Sequence, residues 1–398
     1  MLPHLLYVGD VPVESSYHGS AVLYRLLENH PGERLTIVET GATSVQHRRL
    51  PNVSYLSYSI ARSRWLNTRF HPYASAWFSM MAAGAAEEIL RAVQDFKFQS
   101  VLTVAHGYGW LAAARLAEMS TVPLQLIIHD DWPRVVRLPI GLRRWLDRRF
   151  AKTYSQASTK MCVSPAMRDA YNERYGSSAD VLYPIRAATC PEFDGPPARL
   201  SNNSQPFTVG FAGTINSNGY VNALKTLSEA LELVDGRLLL FGPLTDAEAR
   251  HAGLDLPNVV IRGQLKWTDL LRHLREEADA LFVPMSFSEA DRFNMQMAFP
   301  SKLADYTAVG LPLMVYGPSY CSAVRWAKEN PGAAAVVETE DVEALRRSVA
   351  RLANTASDRI RLANRALEVG RHYFSHQAVE NVFAPSNGNV PGAHLSCE

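Results

Sequence analysis

The residues best suited to bind a phosphorylated ligand lie in one short segment, Phe299-Pro300-Ser301-Lys302, with Asp305 three residues further on. Pro300 precedes a predicted helix, so Ser301 and Lys302 belong to its first turn. Free N–H groups at a helix start and an adjacent ammonium together suit a diphosphate. Asp305 shares a helix face with Lys302 and can accept hydrogen bonds from ribose hydroxyls. The alternative is a surface helix that carries a Lys–Asp pair.

A second candidate phosphate site is the turn at Gly213 and Thr214, which follows the apolar run Thr208–Ala212 and precedes a helical pattern. Glycine lets a backbone approach a phosphate closely, and the next helix start supplies unpaired N–H groups. Most turns of this kind only connect a strand to a helix. The pattern by itself therefore leaves both interpretations open.

Two histidines directly follow neighbouring predicted strands in the first half of the chain. His106 follows the strand ending at Ala105, and His129 follows Leu124–Ile128 and precedes Asp130. Ligands of parallel sheets bind beyond the carboxyl ends of the strands. We therefore predict that at least one of the two histidines has a functional role at a cleft between domains, and we assign His129 and Asp130 to the binding of a second substrate, the acceptor. The alternative is that they are ordinary loop residues.

No pattern in the sequence predicts a metal site. Asp130 and Asp131 are adjacent and would chelate a cation poorly, and no Asp-x-Asp pair follows a strand. The four cysteines also lack Cys-x-x-Cys spacing, which fits a reducing cytoplasm. We expect chemistry without a metal or cofactor.

Short apolar runs alternate with helical patterns along most of the chain, which predicts an α/β protein with parallel sheets. The pattern stops between residues 191 and 206, where Pro, Ser and Asn are frequent, and then starts again. We predict two doubly wound, Rossmann-like domains facing across a cleft. Their limits are 1–190 for the N-terminal acceptor-binding domain, 191–206 for a linker, 207–370 for the C-terminal donor-binding domain, 371–383 for a helix returning to the first domain, and 384–398 for a tail. Residues 74–96 are predicted to form one long helix.

Composition argues against several classes of function. The 398 residues carry a net charge of +1 with a pI near 7.8, so no overall field attracts nucleic acid. No apolar run approaches the roughly 20 residues needed to cross a bilayer. We expect a cytoplasmic protein that does not bind nucleic acid.

Two stretches of the first domain combine arginines with aromatic residues, namely residues 62–73 and 134–152. Such composition suits an anionic membrane surface or a polyprenyl-diphosphate acceptor. We therefore predict peripheral contact with the inner face of the cell membrane. A solvated helix face is the alternative, because Asp147 dilutes the charge of the second stretch.

An ordered series of motifs in the second half resembles the donor domain of retaining GT-B glycosyltransferases. The series runs from the Gly-Thr turn through Leu238–Gly242, Val259–Gly263 and Ala278–Pro284 to Ser301–Pro312. It is most similar to the large family that includes sucrose synthase and bacterial mannosyl- and glucosyltransferases. The resemblance implies a nucleotide-sugar donor. It places Asp305 at the ribose, Ser301 and Lys302 at the diphosphate, and Gln264 and Leu265 beside the nucleobase. It also implies that His106 lies near the transferred sugar and that Gly19 belongs to a loop closing over the diphosphate and acceptor.

Two departures from that family concern the sugar and the phosphates. Position 297, where the resemblance places a glutamate, is Met297, so either Glu289 or Asn294 is expected to contact the sugar hydroxyls. No Lys or Arg follows Thr214 before Tyr220, which leaves neutralisation of the phosphates to Lys302, helix starts and Arg292.

The predicted function is transfer of a hexose, with retention, to a glycan or lipid-linked acceptor in the synthesis of cell-surface polysaccharides or glycoconjugates. Lys302, His106 and Glu289 are the predicted catalytic residues. Two other functions stay open. One is a phosphorylase or epimerase with the same fold, and the other is a non-catalytic protein that binds nucleotide-sugars.

Overall fold

A computed structural model describes residues 2–15, 18–60, 64–202, 206–215 and 217–383. The predicted tail, residues 384–398, lies outside the described residues, as do Arg62 and Ser63 of the first basic–aromatic stretch. The described chain forms two parallel sheets of seven and six strands, each with helices packed on it. The prediction of two doubly wound α/β domains is confirmed.

The first sheet has the strand order β3-β2-β1-β4-β5-β6-β7, with every pair parallel. Its strands are β1 Leu5–Gly9, β2 Leu35–Glu39, β3 Ser54–Ser57, β4 Ser100–Val104, β5 Leu124–Ile128, β6 Thr159–Cys162 and β7 Asp180–Val181. Its helices are α1 His18–Leu27, α2 His71–Met81, α3 Ala85–Ala92, α4 Gly109–Ser120, α5 Trp132–Val135, α6 Ile140–Gln156 and α7 Pro165–Tyr175.

The second sheet has the order β10-β9-β8-β11-β12-β13 and is also parallel. Its strands are β8 Thr208–Ala212, β9 Arg237–Phe241, β10 Val259–Gly263, β11 Ala280–Pro284, β12 Leu313–Tyr316 and β13 Ala335–Val337. The helices that follow in the chain are α8 Asn218–Glu232, α9 Asp246–Ala252, α10 Trp267–Glu277, α11 Arg292–Met297, α12 Lys302–Val309, α13 Ser322–Glu329, α14 Val342–Asn354, α15 Ala356–Phe374 and α16 His376–Phe383.

The central strands are apolar runs because helices cover both faces of each sheet. All five residues of β1, β4, β5, β8 and β11 are buried. In each sheet the chain order reverses beside the first strand, between β1 and β4 and between β8 and β11. The loops beyond these strand ends form the two crevices where an open α/β sheet binds its ligands.

One predicted helix is wrong in its extent. Residues 74–96 were expected to form a single helix, but the structure has α2 and α3, separated at Ala82–Gly84. Gly84 keeps a helical backbone, but the hydrogen bonds there change to the i→i−3 pattern, from Gly84 to Met81 and from Ala85 to Ala82. The Ala-rich sequence therefore predicted helix correctly on both sides of residues 82–84 but did not indicate that the helix is divided there.

The end of the described chain returns to the first domain. Val379 of α16 belongs to the same apolar core cluster as Leu23 and Leu26 of α1. Nε2 of His376 lies 3.3 Å from Oε1 of Glu28, which also belongs to the first domain. The domain limits given above stay predictions. Within the described residues, no helix is long and apolar enough to cross a membrane.

Candidate functional site

A cleft of about 830 Å³ opens between the two domains at the carboxyl edge of the second sheet. The loops that follow β8, β9, β10 and β11 line it, together with the start of α12. From the first domain, α1 and the segment before it supply one wall. Its polar and charged lining residues include Ser15, Arg25, Arg48, Thr214, Gln264, Lys266, Asn294, Ser301, Lys302 and Asp305.

The turn after β8 is held in a fixed position by α12. Tyr306 is buried, and its hydroxyl accepts a hydrogen bond from the Ala212 N–H at 2.6 Å and donates one to the Ala212 carbonyl at 3.2 Å. Gly213 has a φ of 139°, a backbone conformation that favours glycine. A Cβ on Gly242 would collide with the Gly213 carbonyl oxygen, so the turns after β8 and β9 need glycine for their close approach.

Lys302 lies at the first position of α12 and faces this turn. A Cβ placed on Gly213 would be 3.5 Å from the Lys302 Nζ. The ammonium also lies 4.1 Å from the ring centroid of Phe211 and 5.3 Å from that of Tyr220. Removal of the ammonium from water lowers the pKa of Lys302 to about 7. An anion bound between Gly213 and Lys302 would restore the charge.

Asp305 lies one turn further along α12 and already has a partner from the other domain. Arg25 of α1 donates to both carboxylate oxygens of Asp305, at 2.9 and 3.2 Å. The same guanidinium donates to the Ile185 carbonyl and lies 5.1 Å from the Trp267 ring centroid. A carboxylate has about four lone-pair positions, so Asp305 can accept ribose hydroxyls while Arg25 holds it.

Gln264, Leu265 and Trp267 all line the cleft, and the position of Gln264 and Leu265 beside a nucleobase stays a prediction. Ser301 and Asn294 also line the cleft, beside Lys302. Thus the structure brings together all but one of the predicted donor-binding residues. The exception is Gly19, which lies on the first-domain side.

Glu289 and Arg292 are not among the described residues that line the cleft. The carboxylate of Glu289 is 79% exposed and pairs with Arg292 at 3.2 Å, and Arg292 also lies 4.3 Å from the Tyr320 ring centroid. Met297 packs against the core of the first domain, and its carbonyl accepts a hydrogen bond from Ser164. Position 297 therefore belongs to the domain interface rather than to a sugar-binding site.

His106, predicted to lie near the transferred sugar, forms a cluster with the predicted acceptor residues His129 and Asp130 at the carboxyl edge of the first sheet. Oδ2 of Asp130 lies 3.6 Å from Nδ1 of His106 and 3.5 Å from Nε2 of His129. Pairing with Asp130 raises the pKa of His106, whereas burial lowers the pKa of His129. The hydrogen bond from His106 lowers the pKa of Asp130. Asp130 therefore stays ionised, which favours the protonated form of His106.

Asp10, which follows β1, supports this cluster and was not predicted from the sequence. It accepts hydrogen bonds from the Thr40 hydroxyl and the Tyr108 N–H, so it orders the loop between His106 and α4. Burial raises the pKa of its carboxyl group. A Cβ on Gly107, whose φ is 58°, would collide with Asp10.

Helix α1 links the cluster to the cleft. A Cβ on Gly19 would lie 2.6 Å from Cε1 of His129, so glycine is needed where α1 meets the acceptor side. One to two turns later, Val22 and Arg25 line the donor cleft. Gly19 is therefore placed between the two halves of the site.

Among the described residues, His106, His129 and Asp130 form the one group whose ligand atoms, within 4.8 Å of one another, could hold a metal ion. Asp131 does not add to it, because Arg174 binds both of its carboxylate oxygens and Tyr171 donates to one. The expectation of metal-independent chemistry stays a prediction.

Comparisons with known proteins agree with this architecture. Residues 34–185 match the family described as Glycosyltransferase Family 4. Among solved structures, Anabaena HepE in complex with UDP has a TM-score of 0.67 at 12% identity, covering 95% of this chain and 97% of that one. A Rickettsia africae glycosyltransferase has a TM-score of 0.62 at 13% identity, covering 97% and 100%. A trehalose 6-phosphate synthase from Burkholderia multivorans has a TM-score of 0.63 at 15% identity, covering 96% of each chain. No curated protein matches the sequence.

Proposed function

We propose that this chain, whose residues 34–185 match glycosyltransferase family 4, transfers a hexose from a nucleotide-sugar to an acceptor bound by its first domain. The proposal rests on the position of the Lys302 ammonium beside the Gly213 turn, at the carboxyl edge of the second sheet. The ammonium also lies at the start of α12, where the helix dipole favours an anion. UDP-hexoses are the first donors to test, because HepE has been crystallised with UDP-glucose.

The proposed reaction retains the configuration at the anomeric carbon. The bond from that carbon to the diphosphate oxygen breaks first, while Lys302 and the start of α12 stabilise the developing negative charge. The acceptor hydroxyl then bonds to the same face of the sugar and gives its proton to the departing phosphate oxygen. In this scheme Asp305 binds the ribose, Asn294 the sugar hydroxyls, and His106 supports the sugar without covalent bonding.

The acceptor is proposed to be a glycan or a lipid-linked glycan, used at the inner face of the cell membrane in making surface polysaccharides or glycoconjugates. The exposed edge of His106 and Asp130 supports an acceptor site, since both side chains are about half exposed. A carboxylate paired with a histidine can orient a sugar hydroxyl by hydrogen bonding.

The test begins with a thermal-shift screen against UDP-, GDP-, ADP- and dTDP-hexoses, because a ligand that binds the folded state raises its melting temperature. Turnover of the stabilising donor is then followed by NMR, with and without glycan acceptors. Lys302→Ala should lower transfer about 10²–10³-fold, whereas the exposed Lys97→Ala should leave it unchanged. Equal turnover by the wild type and Lys302→Ala contradicts the site, and donor binding without any turnover favours a non-catalytic binder.

A further inference from the structure

The exposed apolar residues of the protein are concentrated in one place. Of the nine large hydrophobic side chains that are exposed in the described chain, six lie between residues 65 and 81. They are Trp65, Phe70, Tyr73, Trp77, Met80 and Met81. The remaining three, Leu2, Val45 and Leu233, are far apart in the sequence. A cluster of this kind on a water-facing surface indicates a binding surface.

The cluster follows the geometry of α2. Tyr73, Trp77, Met80 and Met81 are spaced i, i+4, i+7 and i+8, which places them on one side of the helix. Trp77 is 59% exposed and Tyr73 is 68% exposed. Phe70 and Trp65 extend this surface before the helix, with their ring centroids 5.4 Å apart. We call these six residues the α2 surface.

The opposite side of α2 is packed on the first domain. Ser75 and Ser79 are buried there, and Phe78 contacts the ring of Tyr108 at 5.8 Å between centroids. The Tyr108 hydroxyl donates to Ser75 Oγ at 2.8 Å. The helix is thus fixed by its inner face, and its aromatic outer face is not required for folding contacts.

The charge around the α2 surface is complementary to an anionic lipid layer. Between residues 58 and 86 the sequence has three arginines and no aspartate or glutamate. One of these, Arg69, is exposed and lies 5.0 Å from the Phe70 ring centroid. Tryptophan and tyrosine favour the headgroup level of a bilayer, and basic residues beside them are attracted to anionic lipids. The second basic stretch is more mixed, since Lys152 pairs with Glu118.

We propose that the α2 surface docks the protein on an anionic membrane, with α2 lying in the plane of the headgroups. The position of α2 relates this contact to the acceptor side of the first domain. Tyr108, on which α2 packs, is two residues from His106, and its N–H donates a hydrogen bond to Asp10. Docking through α2 therefore brings the acceptor side of the first domain close to the lipid surface. This last step rests on the proposed function, whereas membrane binding itself does not.

Vesicle sedimentation tests the proposal with the full chain. The wild type should bind phosphatidylcholine vesicles containing phosphatidylglycerol at low salt, and bind less at high salt or without the anionic lipid. The double variant Trp77→Glu/Met80→Glu should lower the partition coefficient at least about tenfold. Arg69→Gln should lower it about fivefold at low salt, since one arginine near an anionic surface contributes that much.

Leu233→Glu is the matched control, because Leu233 is 63% exposed, lies on the second domain and undergoes the same change. It should bind vesicles like the wild type. Each variant should keep the wild-type melting temperature and the wild-type shift with nucleotide-sugar, which separates failure of docking from failure of the donor site. Vesicle binding that survives the double substitution, or that is absent from the wild type, overturns the proposal. So does a dimer in sedimentation velocity that the double variant dissociates, because the α2 surface would then join two copies of the chain.

Discussion

At the scale of single residues, Lys302 combines a charged group with an apolar setting. Its ammonium lies over the rings of Phe211 and Tyr220 rather than beside a carboxylate. Aromatic faces attract a cation, but they replace lost hydration only in part. The lowered pKa of about 7 follows from this imbalance. A diphosphate would supply the missing counter-charge, so binding and protonation are linked.

Donor affinity should consequently depend on pH through Lys302. Below pH 7 the ammonium is already charged and binding is strongest. Above pH 7 the free protein must take up a proton to bind, so affinity should fall by up to about tenfold per pH unit. Titration calorimetry with a nucleotide-sugar between pH 6 and 9 measures this, and buffers of different ionisation enthalpy reveal the proton uptake. Lys302→Met should bind weakly with no such slope, and a flat profile for the wild type contradicts the prediction.

The two candidates for the sugar contact can be separated by substitution. Asn294 lines the cleft, whereas the Glu289 carboxylate points to solvent and pairs with Arg292. Asn294→Ala should lower transfer about 10–100-fold, because a hydrogen bond aimed at the sugar is lost. Glu289→Ala should change it less than about twofold. Steady-state rates at saturating acceptor give the comparison, and the reverse order of effects would restore Glu289 to the site.

At the scale of elements, the donor half was predictable because its signals are local. Pro300, Ser301 and Lys302 are consecutive, and each glycine turn directly follows its own strand. Tyr306 gave no such signal, since its hydroxyl acts on Ala212, 94 residues earlier. The division of residues 74–96 into α2 and α3 was missed for a different reason. Alanine-rich sequence favours helix on both sides of the break, and a single glycine within a helical pattern does not show whether the helix ends there.

The predicted linker, residues 191–206, contains a short helical turn at Ala198–Ser201 that a buried arginine fastens to the second domain. Arg359 of α15 is 1% exposed and donates to the carbonyls of Leu200 and Asn202. It also donates to the Leu352 and Ala353 carbonyls at the end of α14. One side chain therefore joins the linker to two helices.

Arg359→Met should destabilise the protein by about 3 kcal/mol, because several buried carbonyls would lose their donor. Arg361→Met is the control, since Arg361 lies on the same helix, is 54% exposed and pairs with Asp358, which Arg351 also contacts. It should cost less than about 0.5 kcal/mol. Urea unfolding followed by circular dichroism measures both, and equal midpoints for the two variants would show that the linker contacts add little.

At the scale of the whole molecule, the pair Arg25–Asp305 joins the two domains at the donor cleft. Both side chains are less than one-fifth exposed, and the residues are 280 positions apart. No local pattern could reveal this pair, although the sequence did place Asp305 in the cleft. The pair orients the carboxylate that is proposed to bind ribose, so domain position and donor affinity should be coupled.

A double-mutant cycle tests this coupling. Arg25→Ala and Asp305→Asn should each weaken donor binding about tenfold, and the double variant should be no weaker than about tenfold, because the two residues act as one unit. Calorimetry at pH 6.5 keeps Lys302 largely charged and isolates the effect. Losses that multiply to about a hundredfold would show that Arg25 and Asp305 contact the donor independently.

The return of α16 to the first domain also bears on how the protein is made. Val379 completes a core cluster whose other members lie between Leu5 and Ile185. During translation, the entire second domain is synthesised before this helix emerges from the ribosome. Until then, the apolar residues of the first domain that contact α16 stay exposed to solvent, and exposed apolar surface of this kind is bound by chaperones. Stalling translation before residue 376 should yield a first domain that is more easily digested by protease than the same segment in the finished protein.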